Sequence, residues 1–144
     1  MALQVLALVA VVLAAAFGPR WSPPRALAVV GAFAGAIGMT LMLSALLSLQ
    51  QAGALTPFPR PLDGEREPLM EGPYALARHP IYGGLLLLVA AVCVWFPLAL
   101  GPLVALAAIF RLKSELEERW LQERYPRYAA YRERVRHRLV PYVW

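Results

Sequence analysis

Residues 81–110 form 30 consecutive positions without a charged side chain, with Arg78-His79 just before the run and Glu117-Glu118 just after it. As one helix the run would be about 45 Å long, half as long again as the roughly 30 Å hydrocarbon core of a bilayer. Pro97 and Gly101-Pro102 interrupt it near the middle. The run therefore predicts two short helices, 80–96 and 102–121, the second continuing into charged sequence. A hairpin returns the chain to the side it left, so both polar clusters are expected in one water layer. Ionisable groups are costly inside hydrocarbon, and such a boundary suits chemistry between a lipid-soluble substrate and a water-soluble cofactor.

The remaining sequence is consistent with a small polytopic membrane protein of the all-α class. Hydrophobic residues make up 60% of the 144, above the roughly half typical of soluble domains. Residues 2–17 are interrupted only by Gln4 and stop at Gly18-Pro19. Ala14-Ala15-Ala16 resembles a cleavage site, but no basic residue precedes the apolar stretch as a secretory signal requires, so a retained first span is expected. Residues 27–49 are apolar or small and long enough to cross with some tilt. Gly31 and Gly35 form a Gly-x-x-x-Gly pair there, which favours close helix packing within one chain. About four spans result, in a single membrane domain: 2–17, 27–49, 80–96 and 102–121. A connector, 50–79, and a C-terminal amphipathic helical segment, 122–144, share one face.

Charge sets the orientation. The connector and the chain from Arg111 to its end hold 12 of the 14 basic residues, leaving Arg20 and Arg25 on the other side, and basic excess marks the cytoplasmic face. The net charge of +5 thus reads as topology and not as affinity for nucleic acid. Cys93 is the single cysteine, so no disulfide forms within the chain. With His79 and His137 the only histidines, a His-rich metal site cannot be built, and no metal ligand is assigned.

A residue before proline is pushed out of the α region and proline favours the first helical position, so Pro80 opens the third helix and His79 caps it. The free N–H groups of that first turn, the helix dipole and Arg78 together attract an anion. Gly83-Gly84 bare the backbone one turn deeper, leaving room for a bound group to lie against it. On the last span Leu112, Leu116 and Trp120 form an apolar stripe, with Lys113, Glu117 and Glu118 off it. Lys113 to Glu117 and Glu115 to Arg119 are i,i+4 pairs, which a solvated helix face alone would explain. Tyr128, Tyr131 and Val135 form a second stripe, read as packing. Taken together the clusters ask for a ligand with a carboxylate, a nearby ammonium and apolar parts, which is the pattern of S-adenosylmethionine.

Gly72-Pro73-Tyr74, Arg78-His79-Pro80-x-Tyr82, Glu117-Glu118-x-x-Leu121, then Tyr125, Tyr128, Tyr131 and Pro141 resemble the isoprenylcysteine carboxyl methyltransferase family of integral membrane enzymes and their small bacterial relatives. The likeness covers residues 66–141. It implies S-adenosylmethionine as cofactor, contacted by Arg66, Glu67, Pro68 and Leu69, by Tyr74, by His79, Pro80, Ile81 and Tyr82, and by Glu117. Arg78 and Glu118 complete the charged set. The family's basic residue four positions before the Glu pair falls on Lys113, and Lys113 or Arg134 is expected to pair with the anionic end of a lipophilic acceptor. The likeness to small bacterial relatives implies a bacterial inner-membrane location, and the charge bias turns the site toward the cytoplasm. Two other readings remain open: a membrane reductase of the steroid 5-alpha-reductase type using NADPH, and a non-enzymatic adaptor whose Arg132, Arg134, Arg136 and Arg138 meet anionic lipid.

Overall fold

The computed structural model describes residues 2–53 and 68–143. Every regular element among them is helical: α1 (Ala2–Phe17), α2 (Arg25–Gln51), α3 (Pro80–Cys93), α4 (Leu100–Arg124) and α5 (Tyr128–Arg134), with 3-10 turns at Gly72–Ala75 and Pro97–Ala99. Arg25–Gln51 and the segment Pro97–Arg124 are long and apolar enough to cross a membrane; α1 and α3 are shorter apolar helices. Connector residues 54–67, including the expected contacts Arg66 and Glu67, lie outside the described residues.

At the turn between α3 and α4 both boundaries differ from the sequence reading, and proline explains both, while α2 is longer by two residues at each end. Helix α3 ends at Cys93, not at residue 96, because Phe96 precedes Pro97 and takes an extended ψ of 81°, as a residue before proline must. Pro97 then opens a 3-10 turn, and α4 starts at Leu100. Pro102 therefore falls inside the first helical turn, where its missing N–H is not needed. At its other end α4 continues to Arg124, three residues past the expected limit.

The helices run alternately up and down. Gln4 of α1 reaches Lys113 of α4, with Lys113 Nζ donating to Gln4 Oε1 at 3.2 Å, while at the far end Gly18 approaches Leu98. There the Trp21 N–H donates to the Trp95 carbonyl at 3.2 Å. Helices α2 and α3 form a second antiparallel pair, joined backbone to backbone. A Cβ on Gly38 would stand 2.6 Å from the Gly84 carbonyl oxygen, and a Cβ on Gly84 would stand 2.6 Å from that of Gly38. Gly31 and Gly35 extend the seam against Val94, Trp95 and Ala91. Small residues permit this closeness, and close packing is what holds helices together where no hydrophobic drive exists between them.

The interior joins Val11 of α1, Leu86 and Val89 of α3, Leu106 and Phe110 of α4 and Leu139 of the tail. A second cluster, Tyr125, Tyr128, Tyr131 and Val135, packs with Met70 and Leu121. The outer surface is unusually apolar. Leu3, Val12, Phe17, Val30, Phe33 and Val104 are each more than 60% exposed, and extended apolar surface of this kind marks a face that meets a protein partner or a membrane.

Candidate functional site

Helix α3 is the shortest of the four long helices, and that shortness makes a recess. Gly38 of α2 lies level with Gly84 near the start of α3, so α2 runs on for about 20 Å past that level before ending at Gln51. Helix α4 likewise extends past it through Glu117 and Leu121. The N-terminus of α3 becomes the floor of a cup, with the ends of α2 and α4 as walls.

His79 is the N-cap of α3 and Pro80 its first residue, as the sequence implies. The first intrahelical bond runs from Gly83 N–H to the His79 carbonyl at 3.1 Å. The Ile81 and Tyr82 N–H groups precede it and have no carbonyl within their own helix to satisfy them. From the other side the tail straps the connector: Arg78 N–H donates to the His137 carbonyl at 3.0 Å and His79 N–H to that of Arg138 at 2.8 Å. The Leu139 carbonyl then presses on Gly83 so closely that no Cβ could be accommodated there. The bare backbone at Gly83-Gly84 is thus filled by the tail and by α2, which corrects the expectation of a ligand lying there.

The adjacent carboxylates have separate surroundings. Glu118 is buried, its side chain 3% exposed. It accepts from Arg78 Nε at 2.8 Å and from Arg78 Nη2 and Arg138 Nη2 at 3.4 Å. Arg78 also donates through Nη1 to the Val135 and Arg136 carbonyls, and Arg138 donates to Glu115 Oε1 at 3.0 Å. Two guanidinium groups and two carboxylates thereby rivet connector, α4 and tail together. Such a buried pair holds when further hydrogen bonds satisfy its charges, as the Val135 and Arg136 carbonyls do for Arg78.

Glu117 instead faces the recess. It accepts from the Tyr82 hydroxyl at 2.8 Å, lies 3.5 Å from His79 Nδ1 and sits 3.8 Å from Lys113 Nζ. The His79 ring stacks on Tyr82, centroids 5.5 Å apart, and Tyr82 stacks on Phe110 at 4.6 Å. His79 Nε2 comes within 3.3 Å of Glu118 but off the hydrogen-bond direction. It is a buried polar atom without a hydrogen-bond partner among the described residues.

A cavity of about 440 Å³ fills the cup, within the roughly 300–1,000 Å³ of small-molecule sites. Of the residues expected from sequence, Pro68, Leu69 and Tyr74 of the connector line it, as do Arg78, His79, Pro80, Ile81 and Tyr82 at the α3 terminus and Glu117 of α4. Glu118 does not; it is the strut beneath. Lys113 is also outside the lining, reaching the cavity only through Glu117 and the Tyr82 ring, over which its Nζ lies at 4.9 Å. Arg134 is exposed in the last turn of α5 and is not brought to the cavity wall.

Leu49, Ala52, Leu121, Tyr128 and Tyr131 line the cavity too, and sequence reasoning missed them as site residues. The tyrosine stripe was the available signal, but packing explains such a stripe equally well. The Tyr131 hydroxyl donates to the Tyr74 carbonyl at 2.7 Å, tying α5 to the 3-10 turn. Burial pushes the Tyr74 phenol up to about 12 and raises Tyr128 and Tyr131 as well. The aromatic wall is therefore neutral at physiological pH. No family model matches the chain, and no curated protein matches it.

Proposed function

We propose that the chain is an integral membrane methyltransferase that uses S-adenosylmethionine to methylate a small lipophilic acceptor, an isoprenylcysteine carboxylate or a related carboxylate or thiol. The observation that carries this reading is the make-up of one cavity: an acidic oxygen pair, a helix N-terminus whose first N–H groups have no carbonyl within the helix, and a neutral aromatic wall converge on about 440 Å³. The membrane part rests on two helices of spanning length and on the apolar outer surface. In this reading α1 and α3 cross as well, giving four spans, and the cup opens to the cytoplasm, where the basic connector and tail belong.

The residues present fit the cofactor. Glu117 would take its ammonium, the Ile81 and Tyr82 N–H groups its carboxylate, and the Tyr74, Tyr128 and Tyr131 side its adenine. When bound, S-adenosylmethionine supplies a methyl group on a sulfonium, and transfer to an anionic oxygen or sulfur leaves a neutral thioether. An anionic acceptor needs no base for this, so the protein's work is positioning and exclusion of water. In this reading Lys113, next to Glu117 but behind Tyr82 and outside the cavity lining, would hold the acceptor's anionic end from the α1 side. Tyr82 contributes by fixing the Glu117 carboxylate through its hydroxyl.

Membranes containing the protein, incubated with methyl-labelled S-adenosylmethionine and then extracted into organic solvent, should yield a labelled lipophilic product. Glu117→Gln should abolish it. Absence of any labelled product from a natural lipid extract and from prenylcysteine alike would remove the reading.

A further inference from the structure

Helix α4 has its polar and apolar faces arranged inside out. Its buried line is Leu106, Phe110, Ser114 and Glu118, one residue every four, turning from apolar to charged along the helix. Opposite runs Leu100, Val104, Ala108, Leu112, Leu116 and Trp120, again every four, all exposed; the five large side chains among them are 40–69% exposed. Glu118 and Trp120 are two residues apart, about 200° around the axis, so the carboxylate looks inward where the indole looks out. A helix end projecting into water would carry the reverse pattern.

We infer that the outward stripe of α4 lies against lipid as far as Trp120, so that the Arg78–Glu118–Arg138 rivet and the Glu117 end of the cavity sit below the headgroup plane, inside the edge of the hydrocarbon. The lengths agree. Twenty residue steps from Leu100 to Trp120 rise about 30 Å, the thickness of a hydrocarbon core. Tryptophans stand at both ends, Trp21 and Trp95 joined at the far turn and Trp120 at the near one, as at the two interfaces of a span. Beyond Trp120 the helix surface becomes polar at once, with Gln122, Glu123 and Arg124 exposed.

The charged groups at this depth are compensated as lipid burial requires. Arg111, on the flank of the stripe with its side chain 55% exposed, pairs with Glu115 at 3.4 Å, and Lys113 is held by Gln4 and Glu117. Arg119 lies within one residue of Trp120, and its stem lets the guanidinium reach the headgroups. The occupant is lipid and not a second copy, because the stripe continues without a break the exposed apolar face of a helix long enough to cross a membrane. A site sunk to this level is open to an acceptor that never leaves the bilayer.

The test is site-directed spin labelling of the full-length protein in liposomes, with Ala108→Cys, Leu112→Cys, Leu116→Cys and Gln122→Cys labelled one at a time in a Cys93→Ala background. Ala108, Leu112 and Leu116 should collide readily with oxygen and several-fold less with a water-soluble nickel chelate than Gln122 does. Nickel access at Leu112 and Leu116 equal to that at Gln122 would overturn the inference by placing the stripe in water. Exclusion of both reagents would overturn it too, since another protein surface would then cover the face. Neither outcome depends on cofactor binding, so the methyltransferase reading stands or falls separately.

Discussion

Glu117 and Glu118 are neighbours with opposite duties, and their substitutions should separate cleanly. An ion pair at 4 Å in an effective dielectric near 20 is worth about 4 kcal/mol before desolvation, so Glu117→Gln should weaken S-adenosylmethionine binding at least about tenfold, as read by calorimetry, while leaving thermal stability almost unchanged. Glu118→Gln removes the partner of buried Arg78, and stranding a buried charge typically costs about 3–5 kcal/mol. Its thermal unfolding in detergent should fall by many degrees. If the two variants instead lost binding and stability alike, the division between binding group and strut would be wrong. Adjacency in sequence could not reveal which carboxylate was which. Only the helix phase set by Phe110, Ser114 and Glu118 decides it, and the outward stripe at Leu112, Leu116 and Trp120 inverts the solvated-face explanation of the charges.

At the scale of elements, α2 and α3 are held by the absence of side chains. Gly84→Ala or Gly38→Ala places a methyl carbon 2.6 Å from a backbone oxygen, and neither helix can yield without parting the seam. Overpacking of this kind costs about 1–3 kcal/mol or more. Gly101→Ala meets nothing within 4 Å and should be neutral or stabilising by up to about 1 kcal/mol. Equal destabilisation by all three in a detergent melting series would argue against the seam. The tail is the other critical element. Tyr131→Phe removes the bond to the Tyr74 carbonyl and should cost about 1 kcal/mol, with a weaker cofactor affinity because Tyr74 lines the cavity. Helix positions were readable because glycine and proline punctuate the apolar sequence; the early stop at Cys93 was not, because it depends on how Phe96 yields to Pro97 and on the Trp21 contact from a distant segment.

Across the whole molecule, the hairpin geometry expected from the 30-residue run places connector and tail on one side, where residues 137 and 138 bond directly to 78 and 79. That meeting was legible from span parity alone. The depth of the cup was not, since it arises from a short α3 set between longer neighbours and from the strap at Leu139 over Gly83. The arrangement also explains why so small a chain can offer a full-sized cavity: the extensions of α2 and α4 past the start of α3 provide walls that the tail then closes. The most direct measurement is a calorimetric titration of the purified protein in detergent with S-adenosylmethionine and, in parallel, with NADPH. The account predicts saturable binding of S-adenosylmethionine, weakened at least about tenfold in Glu117→Gln, and none of NADPH. Binding of NADPH alone, or of neither, would contradict it.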